Sequence, residues 1–432
     1  MSKISKQNLL VWSVGALIVL LPSNLFLKLD LSHAYVHGLL VDYLIPKIFL
    51  TDLVVVVVLV LGLLNGWQPW TRWQKMGKWG VGFFVLLALL FARQFLTLNP
   101  ETSLGFLAKF IEMFLLGDCL WSLRSLLPKP LLTKAVATMI AAQSIIAILQ
   151  FWTQRSVFPS YAWFGEVRFA QVVGLTQGEF WGRQLTLPYG STAHPNILAG
   201  LLIAGIFWLL WNWKSIEKKW QPVFGVIIAL AAVPLLLTQS LTGLTMLVTG
   251  AIVLTYKNHW FFSRWVIGFS LILFLIGPMF LQLTAQTWPE DLSLTRRNIL
   301  NQTAWNMWKS QPIFGVGLNH FTVEQETYQP KGEIIRFVQP AHHIGLLWLS
   351  ETGILGMILV AVLFRRIFQN DRNVYLPVLL TALFFVPAAT FDHYLLTNQT
   401  GLLLVVMSIL FFTKESNYVP PRRNSSISKN VV

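Results

Sequence analysis

The feature that most constrains this chain is a succession of about twelve apolar stretches, each about long enough to cross a bilayer as a helix. They lie near residues 9–28, 44–64, 79–96, 104–126, 131–152, 193–213, 221–239, 241–256, 260–283, 343–364, 374–391 and 398–413. Of 432 residues, 55% are hydrophobic and only 12% charged, which leaves too little polar surface to cover a water-soluble domain. Inside lipid every backbone polar group must be paired within the protein, and helices of this length do that. The expected fold is all-α: a polytopic membrane protein with about 12 transmembrane helices and a long extracytoplasmic loop containing short amphipathic helices. Residues 1–413 are expected to form a single integral membrane domain, with extracytoplasmic loops near 153–192 and 284–342, and residues 414–432 a disordered cytoplasmic tail.

Charge placement sets the orientation. Lys3 and Lys6 precede the first apolar run, and no small-residue cleavage site follows it, so an uncleaved first helix with a cytoplasmic N-terminus is expected. Alternate connections then carry Arg72, Lys75 and Lys78; Arg124, Lys129 and Lys134; Lys214, Lys218 and Lys219; Lys257 and Arg264; and Arg365, Arg366 and Arg372. Every connection that this orientation puts in the cytoplasm is basic, and both termini fall inside. The net charge of +14 is thus accounted for by topology, with the lipid bilayer and no nucleic acid as partner. The single cysteine, Cys119, lies in an apolar run, which excludes an intramolecular disulfide and a thiolate metal cage.

The two long outer connections depart from the rule by carrying Arg155, Arg168, Arg183, Arg296, Arg297, Lys309, Lys331 and Arg336. An anionic ligand at the outer face would explain these cations; loops this long also escape the charge rule, and a solvated surface explains them equally. Within SLTRRNILNQTAWNMWKSQP, Leu294, Leu300, Ala304, Met307 and Trp308 share one helical face, so a helix lying on the membrane surface is expected. Arg297 projects from that apolar face and demands either an anionic partner or the lipid headgroups. Pro312 ends the helix, and Phe314 to Gly317 reads as a turn without a catalytic role.

In QPAHHIGLLWLSETGILG, Pro340 is expected to open a helix whose first turn holds His342 and His343 at the outer water interface. Glu351 lies about 14 Å deeper and about half a turn round, too far to pair with His342. It is expected to be a buried carboxyl that hydrogen-bonds between helices. Asp30, His33, His37 and Asp42 cluster on the first outer connection, while Asp52, Arg93, Lys109, Glu112 and Asp118 lie in or near apolar segments and should pair with one another. No third ligand joins His33 and His37 by spacing, and there is no D-x-D; no metal and no cofactor are expected.

Three segments together resemble the O-antigen ligase and polymerase superfamily of bacterial polyprenyl-diphosphate-dependent envelope glycosyltransferases. PYGSTAHPNILAGLL, from Pro188, is similar to the family's loop-to-helix entry; RNILNQTAWNMWKSQPIFGVGLNHF, from Arg297, to the arginine-led helix with Pro-x-x-Gly-x-Gly; and the stretch with His342 and Glu351 to the family's His, nine residues on a Glu, then x-Gly-x-x-Gly. Ser240-Leu241-Thr242-Gly243 departs from the family's Ser-Arg-Gly, so one expected cation is missing. The resemblance implies an inverting, metal-independent transfer of a glycan from a polyprenyl diphosphate to an acceptor hydroxyl on a glycan, lipid or protein, at the outer face of the bacterial cytoplasmic membrane. It implies His342 and Arg297 as catalytic residues, His342 as the base and Arg297 on the lipid diphosphate. Arg296, Arg183, Arg336, His194 and Asn196 follow as substrate-binding candidates, and Glu351 and His343 as supports. A repeat-unit polymerase or a protein O-glycosyltransferase fits the same residues; a polysaccharide or lipid transporter is the alternative from another class.

Overall fold

A computed structural model describes residues 5–29, 32–69, 74, 77–172, 174–256, 260–287, 292–331, 338–369 and 375–412. Asp30, Arg336 and the tail from 414 lie outside the described residues, as do Arg72, Lys75, Lys257 and Arg372 of the basic connections. Helices dominate: α1 (Lys6–Leu20), α2 (Leu50–Leu64), α3 (Lys78–Gln94), α4 (Pro100–Leu123), α5 (Lys129–Thr153), α6 (Pro195–Trp211), α7 (Gln221–Leu237), α8 (Leu241–Tyr256), α9 (Trp260–Thr287), α10 (Leu292–Ser310), α11 (Phe321–Tyr328), α12 (Ile344–Gln369), α13 (Tyr375–Phe391), α14 (Tyr394–Thr397) and α15 (Gln399–Met407). A helix falls within every apolar segment marked out in the sequence. Among the described residues two stretches, Lys129–Thr153 and Ile344–Leu363, are long and apolar enough to cross a membrane by length and composition. Shorter apolar helices, Lys6–Leu20 and Pro195–Trp211 among them, accompany these two.

The connections also hold three small antiparallel ladders that an all-α expectation leaves out. β1 (Phe26–Lys28) pairs with β4 (Lys47–Phe49), β2 (Tyr35–Val36) with β3 (Leu39–Leu40), and β5 (Gln177–Phe180) with β6 (Arg183–Thr186). The last is a two-residue hairpin in which Trp181 and Gly182 both take positive φ, the conformation that matches strand twist.

The main core forms around α6, which is hydrophobic all round and buried over nearly its whole length, as befits a helix enclosed by others. It packs against α5, α7 and α8, and Phe207 stacks on Phe384 of α13 with ring centroids 4.4 Å apart. A second core joins α10 to α12: Leu300, Ala304 and Met307 are buried together with Val316, Leu318, Phe321, Leu347 and Trp348. The face read from periodicity is thus covered, by protein contacts from α12 and the following loop.

Of the embedded charges, Lys109, Asp52 and Glu112 pair with one another, whereas Asp118 and Arg93 bond to the neutral side chains of Trp67 and Gln311. Lys109 Nζ lies 2.5 Å from Asp52 Oδ2 and 2.9 Å from Glu112 Oε2, Trp67 Nε1 donates to Asp118 Oδ2 at 2.9 Å, and Arg93 donates to Gln311 Oε1 at 3.1 Å. His33 and His37 diverge toward Glu101 and Glu326 and do not share a ligand.

α12 breaks at Gly353 (φ 61°, ψ −160°), and the break accepts a loop. Ile354 and Leu355 N–H donate to Pro312 and Ile313 carbonyls, while Val316 and Gly317 N–H donate to Ser350 and Glu351 carbonyls, all between 2.8 and 3.1 Å. The two chains are so close that a Cβ on Gly353 would sit 2.4 Å from the Ile313 carbonyl carbon, and one on Gly315 would sit 2.3 Å from that of Glu351. The Pro-x-x-Gly-x-Gly turn is therefore a docking strap that fixes the end of α10 against α12.

Candidate functional site

Helix α12 starts at Ile344, so His342 and His343 precede it and do not occupy its first turn. The expectation from Pro340 is corrected by two residues or more, because His343 does the capping: its Nδ1 accepts the Leu346 N–H at 3.1 Å. Its Nε2 then carries the proton and donates to the Phe274 carbonyl of α9 at 2.8 Å. With both nitrogens engaged, His343 ties the start of α12 to α9, and its neighbour faces elsewhere.

His342 turns toward the connection after α13. Its ring lies 4.8 Å from that of His393, edge to face at 63°, and its Nδ1 is buried with no hydrogen-bond partner. One donor atom each from His342, Asp392 and His393 lie within 4.8 Å of one another. Asp392 is held on two sides. Its Oδ2 accepts from Asn196 Nδ2 at 3.0 Å, and its Oδ1 accepts from the N–H of His393 at 2.8 Å, at the start of α14. His393 Nδ1 lies 2.6 Å from Thr397 Oγ1.

The entry to α6 supplies the second wall. His194 is its N-cap, accepting the Asn196 N–H on Nδ1 at 3.1 Å, which leaves Nε2–H for Thr176 Oγ1 at 3.1 Å. This cap aims the Asn196 amide at Asp392. Arg297, half-buried on α10, is near enough to act electrostatically on His194, His342 and His393.

The electrostatics follow from burial and from this crowding of cations. Burial, then His393, pushes the His342 imidazole down to about 3, against the opposing pull of Asp392. Burial lowers His194 and His393 too. Burial alone would raise Asp392, but His393, His342, His194 and the Asn196 amide hold its carboxyl below the ordinary range. The site at neutral pH is a set of neutral imidazoles around one carboxylate, faced by one guanidinium. The same trio of donors could gather on a divalent cation, with the Asn196 amide and the His393 N–H orienting the Asp392 carboxylate.

Of the residues singled out from sequence, the fold brings His342, Arg297, His194 and Asn196 together. Arg296 sits beside Arg297, its guanidinium lowered by burial and then by that neighbour. Arg183 lies exposed on the β5–β6 hairpin, with no contact to the cluster among the described residues. Glu351 is buried and accepts the Phe321 N–H at 3.1 Å, capping α11 from α12. Leu241, where a cation was missing, is 75% exposed at the start of α8. Asp392 and His393 were missed as site residues. The signal available was FDHYLLTN, a connection without Lys or Arg, expected on the outer face, that still carries an adjacent acid and imidazole.

No curated protein matches the chain. The family model described as O-antigen ligase matches residues 192–361, a stretch that includes His194, Asn196, Arg297, His342 and Glu351 and stops short of Asp392 and His393. Over that stretch the chain is similar to this family of bacterial inner-membrane, ligase- or polymerase-like enzymes, and the match supports an O-antigen ligase superfamily assignment.

Proposed function

We propose that this protein transfers a glycan from a polyprenyl diphosphate to an acceptor hydroxyl at the outer face of the cytoplasmic membrane, with inversion at the anomeric carbon. The observation that carries the reading is the unpartnered Nδ1 of His342, beside Asp392 and within the field of Arg297. An acceptor hydroxyl is a poor nucleophile, and a neutral imidazole with a free lone pair can take its proton. The hydroxyl oxygen attacks the anomeric carbon as the bond to the diphosphate oxygen breaks. The leaving diphosphate takes the bonding electron pair and His342 takes the proton. Asp392 compensates the imidazolium that forms, and the planar fork of Arg297 stabilises the charge growing on the diphosphate.

A general base works best near the operating pH, so the bound substrate has to offset the depressed basicity of His342 for this step. In the free protein the imidazole is neutral; the negative charge of the diphosphate donor, once bound, favours its protonation, and more so as the leaving group gains charge. Arg296, adjacent to Arg297, is the candidate for the second cation that Leu241 does not supply.

Deleting the gene and analysing envelope glycans, glycoproteins and lipid-linked intermediates tests the reading. Accumulation of a polyprenyl-linked glycan with loss of one mature glycoconjugate is expected, and that conjugate names the acceptor. Retention of the glycan on the cytoplasmic side would instead favour a transporter.

A further inference from the structure

Beside the catalytic cluster lies a cavity of about 790 Å³, within the range of small-molecule sites, which no residue role assigned so far accounts for. One wall is the β1–β4 ladder with the turn before β4; another is α4 at Thr102, Gly105 and Phe106; a third is the loop around Tyr161 and Gln171; and its floor is the start of α15. It communicates with the cluster through two residues. The Tyr43 ring, on the cavity wall, lies 5.4 Å from that of His393, and Thr397, also on the wall, contacts His393 Nδ1.

Its chemistry differs from that around Arg297. Lys28 and Lys47 are tied to Asp42, and Lys109 to Asp52 and Glu112. Arg168 donates to the carbonyls of Phe158, at 2.5 Å, and Pro159. Every cation lining the cavity among the described residues thus has a partner within the protein, although Lys28 and Lys47 share one carboxylate and Arg168 meets only neutral carbonyls. What the walls do present is aromatic rings and neutral hydrogen-bonding groups: Phe26, Tyr43, Phe106 and Tyr161 with Asn24, Gln171 and Asn398. Gln399, nine-tenths buried at the floor, donates through Nε2 to Thr51 and Asp52 and keeps its Oε1 without a partner. Ring faces with amides and an open acceptor are the recognition set for a polyhydroxylated ligand: apolar sugar faces lie on the rings and hydroxyls donate to the amide oxygens.

We propose that this cavity is a glycan subsite, holding sugar units of the donor or of the acceptor next to the reacting centre; this rests on the glycosyl-transfer reading above. The test measures binding to full-length protein in detergent by saturation-transfer NMR. The probes are the oligosaccharide released by mild acid from the polyprenyl-linked pool of the source cells, the oligosaccharide released from their envelope polysaccharide, and inorganic pyrophosphate. A Cβ on Gly105 would meet Pro46 at an ordinary 3.4 Å, so a side chain there is tolerated by the backbone and extends into the cavity. Gly105→Leu and Gln171→Trp, filling the cavity from two of its walls, should each weaken glycan binding about tenfold, and Gly105→Ala should not. Pyrophosphate should not displace the glycan, and whichever oligosaccharide binds identifies the source. Equal binding by wild type and both filled variants, or displacement by pyrophosphate, would overturn the proposal. His342→Ala should bind the glycan as wild type does; if that variant still transferred glycan, the catalytic reading would fail while the subsite would stand.

Discussion

The imidazoles of His342 and His393 meet edge to face, 4.8 Å between centroids, although they belong to different connections of the chain. His343, one residue away, points into the bundle and bonds to Phe274. Adjacent histidines therefore carry different burdens. His342→Ala should abolish transfer, a loss of about 10²- to 10⁴-fold, while donor binding persists, because the imidazole acts on the acceptor. His343→Ala should keep appreciable turnover and lose about 1 kcal/mol of stability for each hydrogen bond removed. Turnover, lipid-donor binding and thermal unfolding of the two variants check this; a dead His343→Ala beside a working His342→Ala would exchange their roles.

Arg297→Lys should fail as well. The lysine keeps the charge but loses the planar two-point contact with a diphosphate, at a cost of about 10²- to 10³-fold in turnover. Wild-type activity with weaker lipid retention would mean that Arg297 only meets headgroups.

Asp392 has no freedom to move, being fixed by Asn196 and by the His393 N–H. Asp392→Asn keeps the size and removes the charge that compensates a protonated His342, so turnover should fall by about 10²-fold or more with little change in donor binding. Asn196→Ala should show a smaller fall in the same direction. Unchanged kinetics in both would remove Asp392 from the mechanism.

The pH dependence has a definite sign. Folding holds His342 at about 3, well below an imidazole's ordinary range, and it lowers His194 and His393 in the same direction. The unfolded chain therefore binds more protons as pH falls below about 6.5, so stability is fully present above that value and is lost as pH drops toward the folded values. Thermal unfolding in detergent should show this. The acid limb of kcat/KM should fall well below 6.5, and that of kcat should lie at higher pH, because the bound diphosphate favours the imidazolium. An acid limb of kcat/KM centred on an ordinary histidine value would show that His342 is not enclosed.

Chelation is expected to leave activity intact, since the guanidinium of Arg297 already faces the cluster and can meet the diphosphate charge without a metal ion. Turnover in excess EDTA checks it. Loss of activity restored by Zn²⁺ or Mn²⁺ would turn His342, Asp392 and His393 into ligands.

The sequence by itself determined the helices, because every backbone group in lipid must pair locally and each apolar run can do so on its own. It also determined the face of α10 that is covered, since a 3.6-residue period marks Leu300, Ala304 and Met307 without reference to what covers them. Likewise it marked His342, Arg297 and Glu351 as outliers, because polar groups in such surroundings need partners. The partners themselves were decided by tertiary structure. Glu351 caps α11 only because the strap of residues 312–317 docks into the break at Gly353, a contact that no local period encodes. The choice between His342 and His343 turned on Phe274, which lies on another helix. Asp392 became a site residue only when the ends of α6 and α13 were brought beside the entry of α12. Within its own connection it reads as one more helix-terminal carboxylate; it gains its chemistry from Asn196 and His342, which the chain supplies from far away and only packing brings near.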